Sequence, residues 1–188
     1  MLRIFAFLAV VLFGSPALAL TLGDDGLHKT EWMQDTFKDL REDLEEANSL
    51  GKRLMIIVEQ RGCIYCTKMH EEVFSIPEIG DYISENFFVV QINMFGDVEV
   101  TDFDGTVLPE KDMVRNWSVM FTPTLIFYPK QVAEGKSGMR AAAAVMPGAF
   151  GRWTTFNMLN WIVEEGYDGD EVFQKYHARI IAEKGLSE

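Results

Sequence analysis

The chain has 188 residues and a formal charge of −12, a balance that argues against a nucleic-acid or anionic-membrane surface and that keeps a protein in solution. It opens with Met1-Leu2-Arg3, an apolar run from Ile4 to Phe13, and Ser15-Pro16-Ala17-Leu18-Ala19, which reads as a secretory signal peptide cleaved after Ala19. Ten apolar residues reach about half the roughly 20 that a spanning helix needs. The remaining 169 residues, 20–188, carry a charge of −13 once Arg3 is lost. They fit a single soluble domain with one core.

In chain order, Thr36 to Leu50 lacks Gly and Pro and spaces Phe37, Leu40, Leu44 and Ala47 as a first amphipathic helix ending near Gly51. Leu54-Met55-Ile56-Ile57-Val58 predicts a strand buried on both faces. A helix follows over 64–74, and Ser75-x-x-Glu78 with Pro77 predicts a capped new helix to about Glu85. Phe87 to Met94 is the second buried strand, parallel to the first through a helical crossover. Residues 96–109 are polar, and Asp104-Gly105 between Val-rich flanks predicts a small inserted hairpin. A helix over Glu110 to Trp117, a strand over Thr124 to Tyr128 and a hairpin partner over Ala141 to Met146 come next. Phe150 to Glu164, with Phe156, Leu159 and Ile162 on one stripe, and Asp170 to Glu183 are the last two helices. Trp117, Trp153 and Trp161 are expected as core or groove-wall aromatics.

The two cysteines, Cys63 and Cys66, stand three positions apart in a chain addressed to an oxidising compartment. A bridge closing four residues constrains the unfolded chain by only about 2 kcal/mol, against roughly 4.7 for a hundred-residue loop. Reversible chemistry is therefore the better use of the pair. A strand feeding a helix that begins at Cys63 places its sulfur at the helix's unpaired amides and positive dipole end. Cys63 is then the nucleophile and Cys66, one turn inside, the resolving thiol. A structural zinc site needs about four ligands, and no second cysteine pair exists.

Val58 to Met69, followed by Phe121-Thr122-Pro123-Thr124-Leu125-Ile126-Phe127, resembles the thioredoxin superfamily, in which C-x-x-C opens a helix and a proline precedes a strand. The resemblance covers about 51–164. It implies an α/β thioredoxin fold, a central mixed sheet flanked by helices, here with an N-terminal helical extension and a C-terminal helix. It also implies a cis Thr122-Pro123 bond facing the dithiol, and a substrate groove formed by Thr122, Pro123, Tyr65 and Gly148. The lead-in from Leu20 to Leu50, the run Lys68-Met69-His70-x-Glu72 and the signal peptide look most like the SoxW-like branch of exported thioredoxins.

Several positions depart from thioredoxin. Ile57 stands where the family has a buried aspartate, the proton acceptor for the resolving thiol; Ile64-Tyr65 replaces a glycine-proline pair, and Phe121 replaces a glycine. The candidates for the missing acceptor are Glu59, four residues before Cys63, and His70, four residues after Cys66 on the same helical face. Alternatively, His70 packs beside Met69 and Glu72 on a partly exposed helix, and Glu59 ends its strand as a solvated carboxylate.

The resemblance implies a periplasmic, monomeric thiol-disulfide oxidoreductase with no cofactor beyond the Cys63–Cys66 couple. Its partners would be protein disulfides and a membrane-bound electron donor. A disulfide isomerase is the first rival, since Tyr between the cysteines and Thr before the proline occur in such enzymes; no dimerisation domain is visible. The second is a metal-binding module in which Cys63, Cys66 and His70 hold Cu(I).

Overall fold

The structure is a computed structural model that describes residues 21–187, and the signal segment 1–19 lies outside them. The lead-in contributes three short strands, β1 (Thr21–Leu22), β2 (His28–Lys29) and β3 (Met33–Gln34). Helix α1 (Leu40–Ser49) precedes β4 (Arg53–Glu59), and the motif helix α2 (Ile64–Met69) continues as a wider π-helical turn over His70–Phe74. Then come α3 (Pro77–Asn86), β5 (Phe87–Asn93), the inserted hairpin β6 (Glu99–Thr101) and β7 (Val107–Pro109), and α4 (Glu110–Asn116). The chain closes with β8 (Thr124–Phe127), α5 (Gly138–Ala141), β9 (Ala144–Pro147), α6 (Arg152–Val163) and α7 (Phe173–Lys184).

Five strands form one mixed sheet in the order β3-β5-β4-β8-β9. Strand β4 is the middle one, and all seven of its residues are buried. It runs parallel to β5 and antiparallel to β8. Its side chains alternate between two cores, as a pleated strand requires. Met55 and Ile57 face the core containing Met69, Val73 and Phe74. Leu54, Ile56 and Val58 face the other, shared with α1 and α4. Glu59 therefore continues the Met55–Ile57 row toward the motif helix.

The structure departs from the sequence expectations at several element ends. Helix α1 begins at Leu40 rather than near Thr36, because Asp39 accepts hydrogen bonds from the Arg41 and Glu42 amides and Lys38 turns to a φ of 57°. Phe37, assigned to the helical stripe, is 95% exposed. Ser75 does not cap α3: its hydroxyl donates back to the Glu71 carbonyl, and Ile76 stands at the N-cap without a side-chain bond. Residues Gly138–Ala141 form a helical turn, so the last strand starts at Ala144 instead of Ala141. The lead-in is a β1–β2 hairpin and an edge strand pairing with β5, not helix alone. The hairpin at Asp104-Gly105 forms as expected, with Gly105 at a φ of 86°. Among the described residues no helix is long and apolar enough to cross a membrane.

Asp43 on α1 is buried with one carboxylate oxygen unpaired. Burial pushes its carboxyl up to about 6, against a smaller lowering by the Thr36 hydroxyl. A carboxyl whose folded value is raised holds its proton longer when folded, so stability is fullest below about pH 4 and declines as pH rises through 6. Asp43→Asn is expected to raise stability at pH 7 by on the order of 1 kcal/mol, part of the gain being offset by a lost favourable charge near the helix start. Urea unfolding at pH 7 and pH 4 checks this; an equal gain at both would refute the burial argument.

Candidate redox site

Strand β4 delivers the chain to the site through Gln60-Arg61-Gly62, where Gly62 takes a φ of 71° that L side chains rarely adopt. Cys63 is the N-cap of α2, and its sulfur accepts from the Cys66 amide at 3.0 Å. The two sulfurs are bonded to one another. Cys63 retains 5% exposure and Cys66 none, so of the two only the first has any surface. The Thr122–Pro123 peptide is cis, and its loop meets the disulfide directly. The Thr122 hydroxyl donates to Cys63 Sγ at 3.3 Å, and the Thr122 carbonyl oxygen lies 3.5 Å from the same sulfur. The Gly148 amide donates to the Pro123 carbonyl at 2.7 Å, tying β9 to that loop. Ile64 and Tyr65 on the motif helix, and Met120 and Phe121 before the proline, are exposed. Two loops that touch at Cys63 thus carry an apolar rim, suited to pressing against a polypeptide.

Glu59 and His70 are not alternatives; they are bonded to each other. His70 Nε2 lies 3.0 Å from Glu59 Oε1, and both side chains have 0% exposure. Neither is at the surface. The second carboxylate oxygen accepts from Gln91 Nε2 at 2.6 Å. An ionised carboxylate only accepts, so Nε2 carries the hydrogen that bridges the pair. In the neutral ring, Nδ1 is then a bare lone pair, and that atom is buried without a partner. The His70 amide donates to the Cys66 carbonyl one turn back, and helical side chains lean toward the N-terminus. Positions 66 and 70 therefore share a helix face.

Residues absent from the sequence expectations complete the surroundings. His28 on β2 lies with its ring centroid 4.6 Å from that of His70, the planes 18° apart. Trp32 lies parallel at 6.4 Å, and Phe74 meets the His70 ring edge-on at 5.2 Å. Nothing local marks His28, which precedes the motif by 35 positions; only the scarcity of histidine, three in the chain, sets it apart.

The donor set expected of a metal module, Cys63, Cys66 and His70, is not the one that converges. Among the described residues, the group of three that does is His28, Glu59 and His70, with ligand atoms within 4.8 Å of one another. Imidazole binds a metal through a lone pair in the ring plane, so two stacked rings aim past each other, and both Glu59 oxygens already accept hydrogen bonds. The cluster is a buried carboxylate–imidazole pair covered by a second imidazole, and the cysteine pair at the helix start has the arrangement for thiol-disulfide exchange.

Residues 40–146 match the thioredoxin-like domain family. A thioredoxin-fold protein from Helicobacter pylori is similar in structure, with a TM-score of 0.54 and 16% identity over 70% of this chain and 81% of that one. A thioredoxin from Thermus thermophilus gives a TM-score of 0.50 and 22% identity over 68% of this chain and 86% of the other. At such identities the likeness concerns the fold. No curated protein matches the sequence. With more than half its length inside the match and a C-x-x-C disulfide at the start of the motif helix, the chain belongs to the thioredoxin-like domain family.

Proposed function

We propose that the protein is an exported thiol-disulfide oxidoreductase of the SoxW-like kind, reducing disulfides of periplasmic proteins. The observation that carries this reading is the Cys63–Cys66 disulfide at a helix start, touched by Thr122, with a buried pair made by Glu59 at the end of β4 and His70 one turn after Cys66. In the reduced enzyme, the Cys63 thiolate attacks one sulfur of a substrate disulfide and expels the other as a thiolate. A mixed disulfide results. Cys66 then gives its proton to His70 Nδ1, and its thiolate attacks the Cys63 sulfur, so the enzyme disulfide forms and the second substrate sulfur leaves. Two electrons have passed from the enzyme dithiol to the substrate. Glu59 stabilises the imidazolium, as a carboxylate does for a general-base histidine.

Re-reduction in an oxidising compartment requires a donor that carries electrons across the inner membrane, so a membrane-bound dithiol protein is the partner. Export by a signal peptide cleaved after Ala19 predicts that the mature protein begins at Leu20, which N-terminal sequencing of secreted material checks. The deciding measurement is the potential of the Cys63–Cys66 couple in glutathione or dithiothreitol buffers. A value near roughly −270 mV is expected, whereas one near roughly −120 mV would reverse the electron flow and overturn the reductase reading.

A further inference from the structure

The β1–β2 hairpin precedes the family-matched region, yet it grips the Glu59–His70 pair from two sides. On one side, Lys29 Nζ donates to Gln91 Oε1 at 2.6 Å, while Gln91 Nε2 donates to the His28 carbonyl at 2.8 Å and to Glu59 Oε2 at 2.6 Å. Lys29 thereby fixes which end of the Gln91 amide faces the carboxylate, because a flipped amide would set oxygen against oxygen. On the other side, the His28 ring covers His70. His28 Nε2 lies 3.3 Å from the Thr67 hydroxyl, which itself donates to the Cys63 carbonyl at 3.2 Å. One imidazole thus touches both the proton acceptor and the turn that carries the two cysteines.

We propose that His28 is a positioning residue of the redox centre: stacked on His70 and bonded to Thr67, it fixes the ring plane of His70 against Glu59 and leaves the stacked pair room for a single positive charge. The proposal rests on the reading that Glu59–His70 takes the proton of Cys66. The charged groups that face His28 are Glu59 from β4, His70 and Glu71 from the motif helix, and Lys29 beside it, paired with Asp25. Arg61, from the loop between β4 and α2, packs on Gly26 of the same hairpin. One buried carboxylate balances one imidazolium; a second positive charge 4.6 Å away would have no partner. Burial first, and then the charge on His70, hold His28 below its ordinary value, against smaller opposite effects of Glu59 and Glu71. His28 therefore stays neutral while His70 takes and returns the proton.

Two measurements on the full mature protein test this. Ring NMR titration of the oxidised form, with His28, His70 and His177 assigned by substitution, is expected to show His28 titrating below about 6.5 and rising by roughly half a pH unit or more in His70→Phe. No movement would overturn the coupling, whatever the catalytic role of His70. Stopped-flow release of substrate from the Cys63 mixed disulfide is the second readout. At pH 7, His28→Ala is expected to slow release by about 10-fold, while His28→Phe, which restores a flat ring over His70, recovers to within about 3-fold of wild type. Wild-type release in His28→Ala beside slowed release in His70→Ala overturns the role of His28 and leaves the acceptor reading intact. Wild-type release in both overturns the two together. Stoichiometric Zn²⁺ binding by the oxidised protein in calorimetry, lost in His28→Ala, would overturn the proposal in favour of a metal site.

Discussion

Replacing Cys63 by serine is expected to abolish disulfide exchange, and replacing Cys66 by alanine to freeze the protein as a covalent complex with its substrate. Both outcomes follow from the position of the sulfurs. Cys63 Sγ is the atom that receives the Cys66 amide and the Thr122 hydroxyl. Both donors favour negative charge on it, as does the positive end of the motif helix. A serine hydroxyl there stays protonated in water and has no comparable nucleophile to offer. Cys66 has no exposure, so a substrate disulfide cannot reach it; its role is confined to attacking the bond that Cys63 has made. Without it, the mixed disulfide has no intramolecular exit. Non-reducing electrophoresis after mixing with an oxidised protein substrate, with mass spectrometry of the adduct, checks both variants. Turnover by Cys63→Ser, or an adduct on Cys66 in Cys63→Ala, would refute the assignment of roles.

The strands and the motif helix were legible in the sequence because each rests on a local signal. The apolar run over β4 has only one home, the middle of a sheet. The pairing of Asp104-Gly105 with Val-rich flanks specifies a hairpin by turn chemistry alone. Element starts were less legible. The apolar stripe of α1 extends on paper through Phe37, but a cap two residues farther on decides where the helix begins, and periodicity carries no information about caps. The short strands of the lead-in, two residues each, are too brief for any period to register. They form because β5 and the hairpin partner are already there to receive them.

The site divides the same way. Cys63, Cys66 and the Thr122–Pro123 loop announce themselves by spacing and composition. Glu59 and His70 were visible one at a time, by their offsets from the cysteines, which left each a candidate in its own right and each open to a surface reading. Their bond depends on three-dimensional facts: the pleat that puts residue 59 on the same face as Ile57, and the helix face shared by positions 66 and 70. His28 and Gln91 depend on which strands become neighbours, so sequence offsets say nothing of them. Ile57, where the resemblance to thioredoxin leads to the expectation of an aspartate, also acquires a physical setting. A longer carboxylate two residues farther along the same row, extended by an imidazole, occupies the motif side of that core.

That account makes a sharper prediction than a choice between two acceptors. If Glu59 and His70 act as one unit, removing either should slow resolution by Cys66, and removing both should do little more harm than removing one. His70→Ala is expected to slow resolution at neutral pH by about 10-fold or more, toward the roughly 10² to 10⁴ of general base catalysis. Glu59→Gln should be comparably slow for a reason visible in the hydrogen bonds. Gln91 Nε2 donates to the Oε2 position, so the new amide places its own oxygen there and turns its NH₂ group toward His70. That NH₂ needs an acceptor, so His70 must present a lone pair at Nε2 and carry its hydrogen on Nδ1. The base is then the wrong tautomer, with no lone pair left for the proton of Cys66. Stopped-flow measurement of the attack and resolution phases against pH, on both single variants and the double variant, decides the matter. The expected result is a slowed resolution phase in all three, with the double variant within about 3-fold of His70→Ala, because residues that act as a unit are not additive. Multiplied single effects would make the two independent, and an unchanged resolution phase throughout would leave water as the acceptor.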